Sequence, residues 1–276
     1  MQSNKTENIP ITKWGNGVLT QMDDCLAIEE PLEIQLIYTT ASGRMQKKIA
    51  VTMRTPGNDE ELTAGFLFTE GIIKHNLAIK QITQLPSDAN SLVVTLIENE
   101  IPVLNNAARN FYTTSSCGIC GKASLDAITV AAVYPITKDD IKVSAQILHL
   151  LPQIVKNEQQ VFKHTGGIHA SALFTFTGKL EIVREDVGRH NALDKIIGNR
   201  FLKSQLPLKD SILFLSGRTS FELVQKAFMA GIKIIVAMGA PSSLAVEMAN
   251  ESGITLIGFL KEDKFNIYTG LERIEF

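Results

Sequence analysis

Residues 113–121, Thr113-Thr114-Ser115-Ser116-Cys117-Gly118-Ile119-Cys120-Gly121, hold two of the chain's three cysteines at C-x-x-C spacing. Gly118 and Gly121 permit tight turns and positive φ. The four hydroxyl residues offer no apolar face to bury. The sequence therefore predicts an exposed, mobile loop carrying two thiols, the kind of segment where function concentrates. Four chemistries stay open for the pair. A structural zinc site needs about four ligands, which Cys25, His164, His169 or His190 would have to complete. A thioredoxin-like redox pair follows a strand in a βαβ pattern, whereas a polar loop precedes this one. Two inert thiols would suit apolar surroundings better. A nucleophilic thiol that takes up sulfur as a persulfide suits such a loop, because the sulfur must visit a donor and then an acceptor.

The elements that must position these thiols come from a chain of 276 residues, 45% apolar and 20% charged, with formal net charge −2. That length favours two domains, which we place at residues 1–125 and 126–276. The balanced charge gives no general basic field for nucleic acid or membrane, so any anion site must be local. Residues 1–10 lack the apolar stretch of a signal peptide. No run of about 18 apolar residues offers a membrane span. Three cysteines make no disulfide framework, so a reducing cytoplasm is expected.

Along the chain, residues 1–31 read as a loosely ordered start with a short strand. Residues 33–38 and 45–54 alternate as strands around the turn Ala41-Ser42-Gly43-Arg44. Asn58 or Asp59 can cap a helix with an acidic first turn that closes at Gly71. Glu60 and Glu61 read there as complements to the helix dipole, and Leu62 and Phe66 as its apolar side. A strand over 92–97 completes a small α/β roll. Helices are expected over 122–132 and 144–155. His164 and His169 flank Gly166-Gly167 in a tight loop, as metal ligands, acid/base groups or plain turn residues. In the run from Arg184 to Lys195, Asp186 is a plausible N-cap, with Leu193, Ile196, Ile197 and Phe201 on one helical face. Its seven charged or histidine residues exceed what capping requires and point to a site.

The last seventy residues alternate strand and helix, with strands over 211–215, 233–238 and 255–260. This predicts a parallel sheet with right-handed crossovers. Its carboxyl edge would gather Ser216-Gly217-Arg218, Met238-Gly239-Ala240 and Phe259-Leu260-Lys261, where open sheets bind ligands. Helix N-termini at Thr219/Ser220 and Ser242/Ser243 would offer N–H groups to an anion, and Arg218, Lys261 and Lys264 would add charge. A phosphate-bearing ligand is expected, although no G-x-G-x-x-G or Walker lysine is present.

Together these segments resemble the FdhD family of formate dehydrogenase accessory sulfurtransferases, over most of the chain. The resemblance rests on Thr55-Pro56-Gly57, Phe68-Thr69-Glu70-Gly71, Cys117-Gly118-Ile119-Cys120-Gly121 and Thr165-Gly166-Gly167-Ile168-His169-Ala170. The twelve residues from Arg184 to Lys195 and Ser216-Gly217-Arg218 with Ser220-Phe221-Glu222 complete it. It implies a sulfur carrier that takes sulfur from a cysteine desulfurase as a Cys117 persulfide, with Cys120 assisting. The sulfur then passes to the molybdenum bis(molybdopterin guanine dinucleotide) cofactor, activating formate dehydrogenase. The family's cofactor-contacting segment falls on Phe259, Leu260, Lys261, Glu262, Asp263 and Lys264. Ser216, Gly217, Arg218, Arg189 and His190 are placed at the same cofactor site.

The family pattern has an Arg-Gly pair where this chain has Lys261-Glu262. Lysine keeps the charge but loses bidentate phosphate recognition. The resemblance also implies a C-terminal three-layer αβα domain like cytidine deaminase, following the N-terminal α/β roll. Zinc deaminases use H-x-E followed by P-C-x-x-C. Here Ser171 stands in the glutamate's place, and the C-x-x-C comes first without its proline. Deamination is not expected, nor is a resident metal. A homodimer is expected. The rival reading is a zinc-stabilised, non-enzymatic chaperone of the cofactor or apo-enzyme.

Overall fold

The computed structural model describes residues 5–85, 88–104, 133–134 and 141–276. Cys117, Cys120, the helix expected over 122–132 and the boundary at 125/126 lie outside the described residues. The first 31 residues differ from expectation. Strands β1 (Thr6–Gly15) and β2 (Val18–Ala27) pair in one unbroken ladder from Thr6↔Ala27 to Gly15↔Val18. Asn16 and Gly17 turn the ribbon with φ of 51° and 79°, the positive values that suit a two-residue hairpin. The ribbon escaped notice because its strands bury no continuous apolar face. At its tip, Trp14 and Leu19 stand opposite each other and are 71% and 69% exposed.

Strands β3 (Glu30–Thr40) and β4 (Gly43–Arg54) form the expected hairpin. With β5 (Ile79–Leu85) and β6 (Asp88–Leu96) they make a four-stranded sheet in the order β4-β3-β6-β5. Strand β5 was not foreseen, because its half-buried Ile79, Ile82 and Leu85 recur every third residue rather than every second. Helix α1 (Asp59–Thr69) starts where expected, and Gly71 follows it at φ 70°. Asn58 occupies the N-cap position without a side-chain bond. Asp59 instead accepts from the Gly57 N–H and grips Arg54 through both carboxylate oxygens at 3.1 and 3.0 Å. The helix is buried on nearly every side, not amphipathic, because it is wedged between this sheet and a later helix.

The second half begins with β7 (Val143–Ser144), α2 (Ala145–Glu158) and the short α3 (Gln160–Thr165). Next come β8 (His169–Thr175), β9 (Leu180–Asp186) and α4 (Arg189–Leu202). The alternating part is β10 (Ser211–Leu215), α5 (Phe221–Met229), β11 (Ile234–Ala237), α6 (Ser243–Glu251) and β12 (Thr255–Gly258). β13 (Asn266–Thr269) and β14 (Ile274–Glu275) close the chain. The main sheet has the order β13-β12-β11-β10-β8-β9, with β10, β11 and β12 parallel as predicted.

Alternate residues of these strands face different layers. Leu213, Leu215 and Ile235 join α1, α4, α5 and α6 in one apolar cluster, whereas Phe214 and Val236 join α2 in another. The architecture is α/β. Among the described residues no helix is long and apolar enough to cross a membrane.

Helices α1 and α4 approach through glycine. A Cβ on Gly65 would run into the Asp194 carbonyl, and one on Gly198 into the Glu61 carbonyl. Backbone meets backbone there, so no side chain can yield. We expect Gly65→Ala or Gly198→Ala to cost about 3 kcal/mol or more by overpacking. The thermal midpoint, followed by far-UV circular dichroism, should fall by roughly 10 °C. An unchanged midpoint would show that the helices separate freely.

Candidate functional site

The parallel ladder continues past the strand ends and ties three loops together. The Met238 N–H donates to the Leu215 carbonyl at 3.0 Å, and Gly239 donates to Gly217 at 3.1 Å. Phe259 donates to Gly239 at 3.2 Å, and Leu260 to Ala237 at 3.0 Å. Ser216-Gly217-Arg218, Met238-Gly239-Ala240 and Phe259-Leu260-Lys261 thus meet at one edge, as predicted. Glycine is required at 239, because a Cβ there would sit 2.7 Å from the Arg218 amide nitrogen. The expected anion donors are partly spent, however. The Thr219 N–H donates to Ala240, and the Ser242 N–H to Thr219. The Ser216 hydroxyl is also engaged, accepting from the Ala170 N–H at 2.8 Å.

On the α2 side of this edge lies a cleft of about 730 Å³. Lys156 of α2, Gln159, Phe162, His169, Ser216, Met238, Leu260, Lys261 and Glu262 all contribute to its lining. The strand-end segment is fastened to α2, where His149 Nδ1 lies 2.9 Å from the Lys261 carbonyl and its ring packs on Phe265. Gln159, between α2 and α3, is only 6% exposed, and its Nε2 has no partner among the described residues. Such an atom costs about 1–3 kcal/mol until something pairs with it. At the rim, Phe259 holds φ at 54°, a left-handed conformation that costs an aromatic residue about 1–2 kcal/mol. The residue is 43% exposed, so burial does not explain the strain, and functional sites are where such strain collects.

The remaining predicted residues separate. Ser216, Leu260, Lys261 and Glu262 line the cleft. Arg218, Asp263 and Lys264 are exposed near it, and Gly217 packs so that a Cβ would lie 3.2 Å from His169 Nδ1. Arg189 and His190 start α4, on the opposite side of the sheet from α2. There His190 Nε2 lies 3.2 Å from the Ser220 hydroxyl and 3.9 Å from Glu222. Burial, then the Lys226 and Arg189 charges, lower the His190 pKa from 6.5 to about 4, so the ring is neutral near pH 7. Burial works against the Glu222 carboxylate, but the Ser220 hydroxyl and its own N–H outweigh it and hold it below the usual range. That carboxylate occupies the α5 start which the sequence offered to an anion. Burial and the neighbouring Arg189 also lower His169. His164 is exposed on α3.

The charged run from Arg184 is mostly scaffold. Arg184 pairs with Glu61 at 2.6 Å, and Asn199 also donates to Glu61 at 2.7 Å, so Glu61 does more than complement a dipole. Glu185 accepts from the Val161 and Phe162 N–H groups that open α3. Asp186 is not the N-cap, which falls on Gly188. It ends β9 fully buried, 2.6 Å from Lys195, and accepts from the Gly188 N–H at 2.8 Å. Lys226 bonds Thr69, Glu70 and Asp194, each at 2.9 Å. Burial opposes the Lys226 charge, but Asp194 and Glu70 outweigh it and raise its pKa. Burial pushes the Asp194 carboxyl up to about 6. Among the described residues no His, Cys, Asp and Glu converge as a metal site. Gln159 was missed, because a glutamine in the polar run Asn157-Glu158-Gln159-Gln160 carries no signal until its burial is known.

Residues 27–275 match the family model described as the FdhD/NarQ family. The chain belongs to that family. A protein named sulfur carrier protein FdhD from Streptomyces coelicolor is 45% identical over 98% of this chain and 95% of its own. Relatives of the same name from Mycolicibacterium paratuberculosis and Sulfolobus acidocaldarius are 47% and 43% identical. They align over 96% and 97% of this chain, and 97% and 98% of their own. A crystal structure from Desulfotalea psychrophila, described as a candidate formate dehydrogenase accessory protein, matches with TM-score 0.75 at 26% identity. That match covers 99% of this chain and all of the other. The family match begins at the last residue of β2, so the ribbon stands outside it.

Two outcomes follow from the site. Unfolded, His190 takes up a proton near its usual 6.5; folded, it does so only near 4. The unfolded chain therefore binds more protons in that window, and stability falls as pH drops through it. The urea midpoint of His190→Gln should decline less between pH 7 and pH 5 than that of the wild type, and an identical decline would place the acid sensitivity elsewhere. At Phe259, glycine and alanine both remove the ring, so their difference reads the backbone. Phe259→Gly should be more stable than Phe259→Ala by ~1 kcal/mol, the reverse of the usual order.

Proposed function

We propose that this protein is a sulfur carrier that matures formate dehydrogenase. The observation that carries the reading is identity of 40–47% over at least nine-tenths of the chain to relatives named sulfur carrier protein FdhD. The structural relative described as a formate dehydrogenase accessory protein supports the destination. The acting group is the Cys117 thiolate, which attacks the outer sulfur of a cysteine desulfurase persulfide. A new S–S bond forms, the desulfurase thiolate leaves, and Cys117 holds the sulfur. Cys120 then attacks Cys117 Sγ, closing a disulfide and releasing the outer sulfur as hydrosulfide. Two thiols are oxidised as one sulfur is reduced, and a cellular thiol reductant restores the pair.

The acceptor is the molybdenum bis(molybdopterin guanine dinucleotide) cofactor, a client of the carrier rather than a resident group. The residues fit part of it. Clefts that enclose drug-sized ligands span roughly 300–1,000 Å³, so this one suits a single ring with adjoining phosphates. Lys156 and Lys261 supply local positive charge on a chain of net charge −2. The remainder would lie outside, over the exposed Arg218, Phe259 and Lys264.

The test is intact mass after incubation with a cysteine desulfurase and cysteine. Wild type should gain one sulfur, removable by dithiothreitol, and Cys117→Ala should gain none. Cys120→Ala should load but not discharge. Full formate dehydrogenase activity from Cys117→Ala, in a strain lacking the native protein, would sink the reading. Absence of sulfur uptake with zinc retained under native conditions would favour the chaperone.

A further inference from the structure

The turn of the β1–β2 ribbon carries a reactive pair. Asn16 is followed by Gly17, and no other asparagine in the sequence precedes a glycine. Both residues are exposed. They hold φ of 51° and 79° beyond the last ladder pair, Gly15 and Val18. The Gly17 N–H has no acceptor among the described residues, and the Asn16 side chain has no partner there. A Cβ built at Gly15 or Gly17 would meet nothing within 4 Å, so no packed atom holds the turn in place. Exposed tips of this kind open more readily than the elements that carry them.

We propose that Asn16 is a site of spontaneous deamidation, driven by the Gly17 main-chain nitrogen. That nitrogen loses its proton to hydroxide and attacks the Asn16 side-chain amide carbon. The new N–C bond closes a five-membered succinimide, and the side-chain nitrogen takes up a proton and leaves as ammonia. One water then opens the ring. Cleavage at the side-chain carbonyl gives aspartate, and cleavage at the main-chain carbonyl gives isoaspartate. Nothing is oxidised or reduced. Glycine is the enabling residue, because it places no side chain beside the attacking nitrogen and leaves the backbone free to rotate into the ring geometry. Asn58 and Asn99 also hold positive φ, at 59° and 66°. They precede Asp59 and Glu100, whose side chains crowd the same approach, so they serve as internal controls. Isoaspartate routes the main chain through an extra methylene, and a two-residue turn sets the ribbon's register. Both products add a carboxylate next to the exposed Trp14, Val18 and Leu19, which makes an apolar tip acidic. The site stands apart from sulfur carriage, since the family match begins at residue 27.

The experiment is intact mass of the folded, full-length protein during incubation at 37 °C between pH 7 and pH 9, with peptide mapping. Wild type should gain the mass difference between an amide –NH2 and a carboxyl –OH. The gain should be faster at higher pH, because the deprotonated nitrogen attacks. Mapping should place it at Asn16, with Asn58 and Asn99 at least about tenfold slower. A protein-isoaspartate methyltransferase with S-adenosylmethionine should add one methyl group to each isoaspartyl chain. Asn16→Gln, which can close only a six-membered ring, should react at least about tenfold more slowly. Asn16→Gly keeps the positive φ without strain and should abolish the gain. A gain that maps elsewhere, or that persists in Asn16→Gly, overturns the proposal. So does a folded wild type that keeps its starting mass, whether or not the urea-unfolded chain reacts, because the closed turn would then protect Asn16.

Discussion

The contact on which the rest depends is the crossing of α1 and α4 at Gly65 and Gly198. It joins the helix of the first sheet to the helix that follows β9, with no side chain between them. Close approach of two backbones gathers dispersion contacts but leaves no tolerance for error. Charged groups around the crossing fix its register. Glu61 reaches Arg184 and Asn199 at one end, and Lys226 bridges Thr69, Glu70 and Asp194 at the other. Removing one partner of such a group leaves an uncompensated buried charge. The geometry is therefore specified more tightly than apolar packing alone would manage.

This arrangement determines what the start of α4 can do. Because α4 is held by its middle, Arg189 and His190 are delivered to one side of the sheet edge and His169 to the other. Burial and nearby cations lower the pKa of both histidines. The edge thus presents neutral rings among fixed charges. Neutral imidazoles there keep one lone pair each and can accept as well as donate, which suits recognition better than charge storage.

How much of this was legible in the sequence depended on whether a local rule decided the outcome. The parallel strands were legible because each apolar run ends in glycine or a turn, and the crossover rule then leaves one arrangement of their ends. The β3–β4 hairpin and the starts of α1 and α2 were legible for similar reasons. The β1–β2 ribbon was not, because exposed strands lack the alternation that betrays a buried face. Asn16-Gly17 was the available clue. The run from Arg184 to Lys195 was recognised as unusual but assigned to one site, since a sequence does not say which charges find partners across 120 residues or more. Gln159 was invisible for the opposite reason, as its meaning lies in the partner it lacks. The two halves of the candidate site likewise share a sheet edge but not a face, a distinction that requires the third dimension.

The ribbon has a practical consequence for anyone observing this molecule by light. Trp14 is the chain's single tryptophan, and it sits at the ribbon's tip, mostly in water already. Its emission therefore reports on that tip rather than on the packed helices some distance away. Opening of the core changes its surroundings little, whereas anything that settles on the ribbon shifts its colour. The protein carries, in effect, a built-in optical probe for contacts at one extremity, silent about the state of its interior.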